Sequence, residues 1–124
     1  MKKKSLSIRW LDEPRATNYP AALSYLSLVM PEREAKACVG ALKKAACVEF
    51  KAKDIFRASG LSLQGVSNSH VERDRRKIER GTALSPLLLV RLPELGKFIV
   101  ADGYHRLCAV YSFAEDAVVP CKIA

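Results

Sequence analysis

The stretch most able to do chemistry is "FIVADGYHRLCAVY", Phe98 to Tyr111. A strand-like apolar run reaches Asp102-Gly103, and Tyr104, His105 and Arg106 follow before apolar residues resume at Leu107, Val110 and Tyr111. That second spacing is helical. Asp-Gly supplies a tight turn, and glycine lets another group approach the backbone closely. A helix that starts here presents free N–H groups and the positive end of its dipole, which together attract anions. His105 adds a switchable donor and Arg106 a permanent, bidentate one. A cation at a helix N-terminus costs its helix some tenths of a kcal/mol, so the pattern suits a bound phosphate better than it suits the helix. The residues alone also allow a purely structural role, in which Asp102 caps the helix and pairs with Arg106.

A second group lies in "HVERDRRKIER", His70 to Arg80, which is charged at nearly every position. Val71 and Ile78 share a helix face, and Asp74 and Arg75 fall between them. If that face packs inward, Asp74 and Arg75 border the core or a pocket. Asn68, His70 and Asp74 are then candidates for substrate contact or proton transfer. Glu72–Arg76 and Arg76–Arg80 read as ordinary surface neighbours. Gly60 and Gly65 have the spacing of a phosphate loop, but no Lys-Ser or Lys-Thr follows, so no Walker motif is present. Lys51, Lys53 and Asp54 could approach a site or simply lie in a solvated turn.

The elements that must hold these groups are legible at low resolution. At 124 residues the chain reads as one domain, large enough for one core without disulfides or metal. Residues 1–19 read as an irregular arm with Trp10-Leu11 tucked against the domain. Residues 20–46 read as a helical hairpin, with stripes at Leu23/Leu26/Met30 and Ala35/Cys38/Val39/Leu42. "CVEFKA" alternates like a half-buried strand, "KDIFRASG" is a turn or short helix, and "SGLSLQGVSNS" is a loop. The His70–Arg80 helix ends at Gly81, a C-cap. "SPLLLVRL" and "KFIVA" are strands joined by "PELGK", a helix covers about His105 to Phe113, and "AVVPCKIA" is a final strand. The fold class is α+β.

The net charge is +8, with 12 basic and 6 acidic side chains in residues 1–62 against 9 and 7 in residues 63–124. Such an excess attracts polyanions. Lys2, Lys3 and Lys4 form a short basic tail with no apolar segment after it, so export is not expected. The longest apolar segment, Ala21 to Met30, is too short and too serine-rich to span a bilayer. Four cysteines with no C-x-x-C pair and no histidine at zinc spacing suggest buried, reduced thiols in a cytoplasmic protein.

From about Val48 to Ala124 the chain resembles the ParB/sulfiredoxin-like superfamily. The resemblance rests on the Arg73–Arg80 helix, "SPLLLVR", "KFIVADGYHRLCAVY" and "VVPCKIA", with D-G-x-H-R-x-x-A at its centre. It implies a superfamily core at 47–124, preceded by the arm and hairpin of 1–46. It also implies nucleotide binding, with the phosphates on Gly103, Tyr104, His105 and Arg106. The expected ligand is ATP, ADP or CTP with Mg²⁺, with Asp102 as a metal ligand and His70, Asp74 and Asp102 as catalytic candidates. Tyr104 stands where sulfiredoxins carry their reactive cysteine, and Tyr104-His105 replaces the middle of the G-E-R-R of partitioning proteins. The resemblance therefore runs to small stand-alone members, which include a kinase for free serine and ParB-like nucleases. The leading expectation is a nucleotide-binding phosphotransferase or phosphohydrolase. The alternatives are a non-catalytic module for nucleic acid or a protein partner, supported by Lys43, Lys44, Lys51 and Lys53, and a nuclease. The helical hairpin could serve a homodimer.

Overall fold

A computed structural model describes residues 7–62 and 68–124. The basic tail at Lys2–Lys4 and residues 63–67 of the glycine-rich loop, Gly65 included, lie outside the described residues. The element order is α1 (Asn18–Val29), α2 (Glu32–Lys44), β1 (Val48–Lys51), α3 (Ala52–Ser59), α4 (Ser69–Glu79), β2 (Leu87–Leu92), β3 (Lys97–Asp102), α5 (Tyr104–Phe113) and β4 (Val118–Ile123). The architecture is α+β. Four strands form one mixed sheet in the order β1-β4-β2-β3, antiparallel except for the parallel β2–β4 pair.

Alternation along β2 explains why helices lie on both faces. Leu87 and Leu89 point into a core formed with α3, α4 and α5, around Ile55, Val71, Ile78 and Leu107. Leu88 and Val90 point the other way, onto Ala22 and Leu26 of α1 and Ala35, Val39 and Leu42 of α2. A strand buried on both sides reads as a continuous apolar run, which is what "PLLLV" is. Each fully buried leucine contributes about 1.5–3 kcal/mol.

The expectation of a half-buried first strand is corrected. All four residues of β1 are exposed, Val48 and Phe50 at 42% each. β1 is the outer strand beside β4, so its alternation meets little protein on either face. "KDIFRASG" resolves as helix α3, closed by Gly60 in the left-handed region at φ 67°. The turn "PELGK" is a short 3-10 segment, Pro93–Leu95, ended by Gly96. Gly81 (φ 75°) ends α4 as expected, its N–H donating to Ile78 O and that of Thr82 to Lys77 O, the two bonds of a Schellman motif.

The arm is fixed at two places. Leu84 N–H donates to Arg9 O and Leu11 N–H to Leu84 O, so Trp10 does lie against the domain. Lys122, buried on β4, reaches Glu13 Oε1 at 2.9 Å and donates to Lys43 O at 3.2 Å. Burial alone would lower the Lys122 pKa, but its bonds to Glu13 and Tyr19 outweigh it and hold the ammonium charged.

The cysteine expectation holds for Cys108 and Cys121 and is corrected for Cys38 and Cys47, which are only partly buried. None of the four is in a disulfide. Burial pushes Cys121 up to about 12 and raises Cys38 and Cys47, so these three are protonated at neutral pH and poor nucleophiles. Among the described residues no helix is long and apolar enough to cross a membrane.

Candidate functional site

β3 delivers the chain to the site through a bulge. Leu88 pairs with Asp102 and Leu89 with Val100, so Ala101 is the extra residue and the strand end is re-aimed there. Gly103 follows at φ 105°, a conformation that side chains other than hydrogen rarely adopt, and α5 begins at Tyr104. The glycine is needed on space as well. A Cβ at Gly103 would lie 2.8 Å from both Leu87 Cγ and Arg106 Nη2.

α4 and α5 lie side by side and run in the same direction. His70 stacks on His105 near their starts, with ring centroids 4.8 Å apart and planes 26° apart. One turn and more further on, Arg75 donates to Ser112 Oγ and its guanidinium sits 4.2 Å from the Phe113 ring centroid. Parallel packing brings two positive dipole ends together. The arrangement favours an anion between them.

Between those helix starts is a polar cleft of about 270 Å³, and its walls carry His70, Arg73, Asp74, Lys77, Asp102 and the 103–106 turn. Every catalytic and phosphate-binding residue named from the sequence therefore lines one cleft. Arg15 and the buried pair Asn18 and Ser85 close its other side. The Asn18 amide and the Arg15 N–H both donate to Ser85 Oγ, the latter at 3.1 Å. Four permanent cations (Arg15, Arg73, Lys77 and Arg106) face two carboxylates. Both carboxylates are already engaged, Asp102 with Arg106 at 2.8 Å and Asp74 with Lys77 at 3.9 Å. The cleft is thus electropositive.

Individual roles differ from expectation. Asn68 does not reach toward a ligand with its oxygen. It caps α4, accepting from the His70 N–H at 2.9 Å and the Val71 N–H at 3.3 Å. Arg75 leaves the cleft to hold α5. Asp74 is buried on the inward face with Val71 and Ile78, as its spacing implied. Lys51 and Lys53 both face Asp116, away from the cleft. The Asp102–Arg106 pair is present, but among the described residues no side chain caps α5.

His70 Nδ1 lies 2.8 Å from Arg73 Nη2. Arginine can only donate, so Nδ1 is the acceptor and the ring presents its other nitrogen as N–H. His70 is in this state a donor and not a base. The His105 pKa is lowered, first by burial and then by the neighbouring His70; Asp74 opposes the shift, and Arg73 adds the smallest contribution to it. His105 is accordingly the neutral imidazole of the site at pH 7.

This shift sets a pH dependence. The unfolded chain takes a proton on His105 near the usual value, while the folded chain resists it. The stabilisation is complete above about pH 6.5 and is lost as pH falls through the lowered folded value. Melting temperatures taken between pH 7.5 and 5 should fall more steeply for wild type than for His105→Gln. The chain has only two histidines, so an NMR titration of the imidazole C–H signals reads both directly.

Among the described residues no three His, Cys, Asp or Glu side chains gather as a metal site. Asp102 and Asp74 suit only the shared kind of Mg²⁺ site, in which one or two carboxylates are completed by phosphate oxygens and water.

Sequence reasoning missed Arg15, Arg73 and Lys77. The last two were findable, because positions 70, 73, 74 and 77 are the i, i+3, i+4, i+7 face of α4. Arg15 carried no local signal. No protein-family model matches the chain, and comparison with the curated proteins and with the solved structures gave no match.

Proposed function

We propose that this chain is a nucleotide-binding protein of the ParB/sulfiredoxin-like kind, holding phosphates of ATP, ADP or CTP in the cleft between the starts of α4 and α5. The observation that carries the reading is the convergence of the α5 N-terminus and the His70/Arg73/Lys77 face of α4 on a cleft with four permanent cations against two carboxylates, so that Arg15 and Arg73 remain in excess after the Asp102–Arg106 and Asp74–Lys77 pairs. Arg106 and the N–H groups after Gly103 take the phosphates, and Arg73, Lys77 and the His70 N–H flank them. Asp102 would hold a Mg²⁺ ion together with the phosphate oxygens, and the ion would supply neutralisation of the phosphate charge.

The reaction class that suits such a site is phosphoryl transfer or phosphate-ester hydrolysis, in which positioning and charge neutralisation do most of the catalysis. The proton of the attacking hydroxyl goes to His105, neutral at pH 7, and Asp74 stabilises the imidazolium that results. His70 acts as a donor and Asp102 as an anchor for Arg106.

Thermal unfolding with ATP, ADP, CTP and GTP, each with and without Mg²⁺, tests the binding. A ligand at a hundred times its dissociation constant adds about 2.7 kcal/mol, a shift of several degrees for a domain of this size. Arg73→Ala, an exposed change on α4, should abolish most of the shift without lowering the melting temperature of the free protein. Shifts that ignore both Arg73→Ala and Arg106→Ala would sink the assignment. Oligonucleotide binding that weakens steeply with salt and ignores both variants would put a nucleic-acid module in its place.

A further inference from the structure

On the other side of the 102–105 turn is a second cleft, of about 360 Å³, and its character is different. It shares Asp102, Gly103, Tyr104 and His105 with the polar cleft, and its remaining walls are Tyr25, Leu61, Val100 and Ala101. The turn that would hold phosphates is thus a low partition between a cationic chamber and an apolar one. Tyr25 and Leu61 are each left 41% exposed beside it. A molecule that fills both chambers has an anionic end and an apolar end.

Resting on the nucleotide reading above, we propose that the apolar cleft receives the aromatic base, with Tyr25 of α1 as its principal contact. The choice of a flat heteroaromatic ring over an acyl chain comes from β3. It is the outer strand of the described sheet, and an outer strand leaves part of its backbone N–H and C=O groups without a sheet partner. Val100, Ala101 and Asp102 of this strand line the apolar cleft. A ring with nitrogens and exocyclic donors can pair with such groups, whereas an alkyl chain would cover them unpaired, at a cost. Tyr25 is contributed by the helices before the sheet, so this part of the chain enters ligand recognition as well as packing.

The test is calorimetric titration with inorganic tripolyphosphate, ATP, CTP and GTP, all with Mg²⁺, on wild type, Tyr25→Ala and Tyr25→Phe. Stacking on one aromatic side chain should make at least one nucleotide bind roughly tenfold or more tightly than tripolyphosphate. Tyr25→Ala should erase that advantage and leave tripolyphosphate binding unchanged, while Tyr25→Phe should retain it. Tyr25 is half exposed, and melting curves of both variants establish that they fold. Equal affinity for tripolyphosphate and every nucleotide, or a nucleotide preference that survives Tyr25→Ala, overturns the base site alone. Failure of tripolyphosphate and all three nucleotides to bind overturns the phosphate site and this proposal together.

Discussion

Gly103→Ala is expected to lower the melting temperature by roughly 10 °C and to abolish ligand binding. Two costs add at this position. An L residue held at φ 105° is strained, typically by about 1–3 kcal/mol. The new methyl group would also overlap Leu87, the first residue of β2, which is fully buried, and overpacking of that kind costs about 1–3 kcal/mol. The total is a few kcal/mol, and each shifts the transition by several degrees in a domain of this size. The other atom in the way is Arg106 Nη2, so the substitution displaces the guanidinium too. Melting curves and nucleotide titration check both halves. A Gly103→Ala protein within a degree or two of wild type would show that the turn rearranges freely and that its conformation is not what holds the site.

Arg106 should give the second large effect, and it divides into two measurable parts. Its ion pair with Asp102 is mostly buried, each side chain retaining 17% exposure. Removing one partner of a fully buried pair costs about 3–5 kcal/mol, and this partly wetted one less, about 2 kcal/mol. Arg106→Ala/Asp102→Ala should therefore unfold no earlier than Arg106→Ala alone, the signature of a stranded carboxylate. Binding behaves differently. Charge-assisted hydrogen bonds to a phosphate contribute about 1.5–3 kcal/mol, so either variant should weaken nucleotide binding by roughly a hundredfold. Arg106→Lys separates the two parts further. Arg106 Nε is buried with no hydrogen-bond partner among the described residues. Lysine keeps a charge for Asp102 and removes that orphan donor, so stability falls less than with alanine. The planar fork is gone, and most of the affinity goes with it. A lysine variant that binds as tightly as wild type would reduce Arg106 to a point charge.

The strand, turn and helix from Lys97 to Phe113 were readable because each carries a local signal that nothing distant overrules. These are the apolar alternation, the Asp-Gly turn and a helical stripe, and the bulge merely sharpened the bend. β1 shows the opposite case. Its alternation is genuine, yet burial depends on what lies beyond β4, and a four-residue window contains no such information. The cleft was half legible for a related reason. On α4 nearly every residue is charged, so the cleft-facing row at 70, 73, 74 and 77 does not stand out by polarity, and only the inward Val71 and Ile78 reveal the rotation of the helix. Arg15 reaches the site because Ser85 ties its backbone down, a contact across seventy residues. In the proposed reaction the proton acceptor is His105 in place of His70, because Arg73 occupies the His70 Nδ1, a contact that spacing cannot supply.

The position of β4 has a consequence for how the molecule assembles. Within the described sheet β1 pairs with β4 alone, and β4 joins it to the β2–β3 pair. α1 with α2 and β2 with β3 are neighbours in sequence and can form early, whereas Val48 meets Cys121 and Leu87 meets Cys121 only after long loops close. Loop closure of that kind must precede its reward, so folding should be limited by the docking of β4 and fall on the millisecond-to-second scale of non-local topologies. The same strand should set the most protected amides in hydrogen exchange, because opening it divides the sheet and amounts to global unfolding.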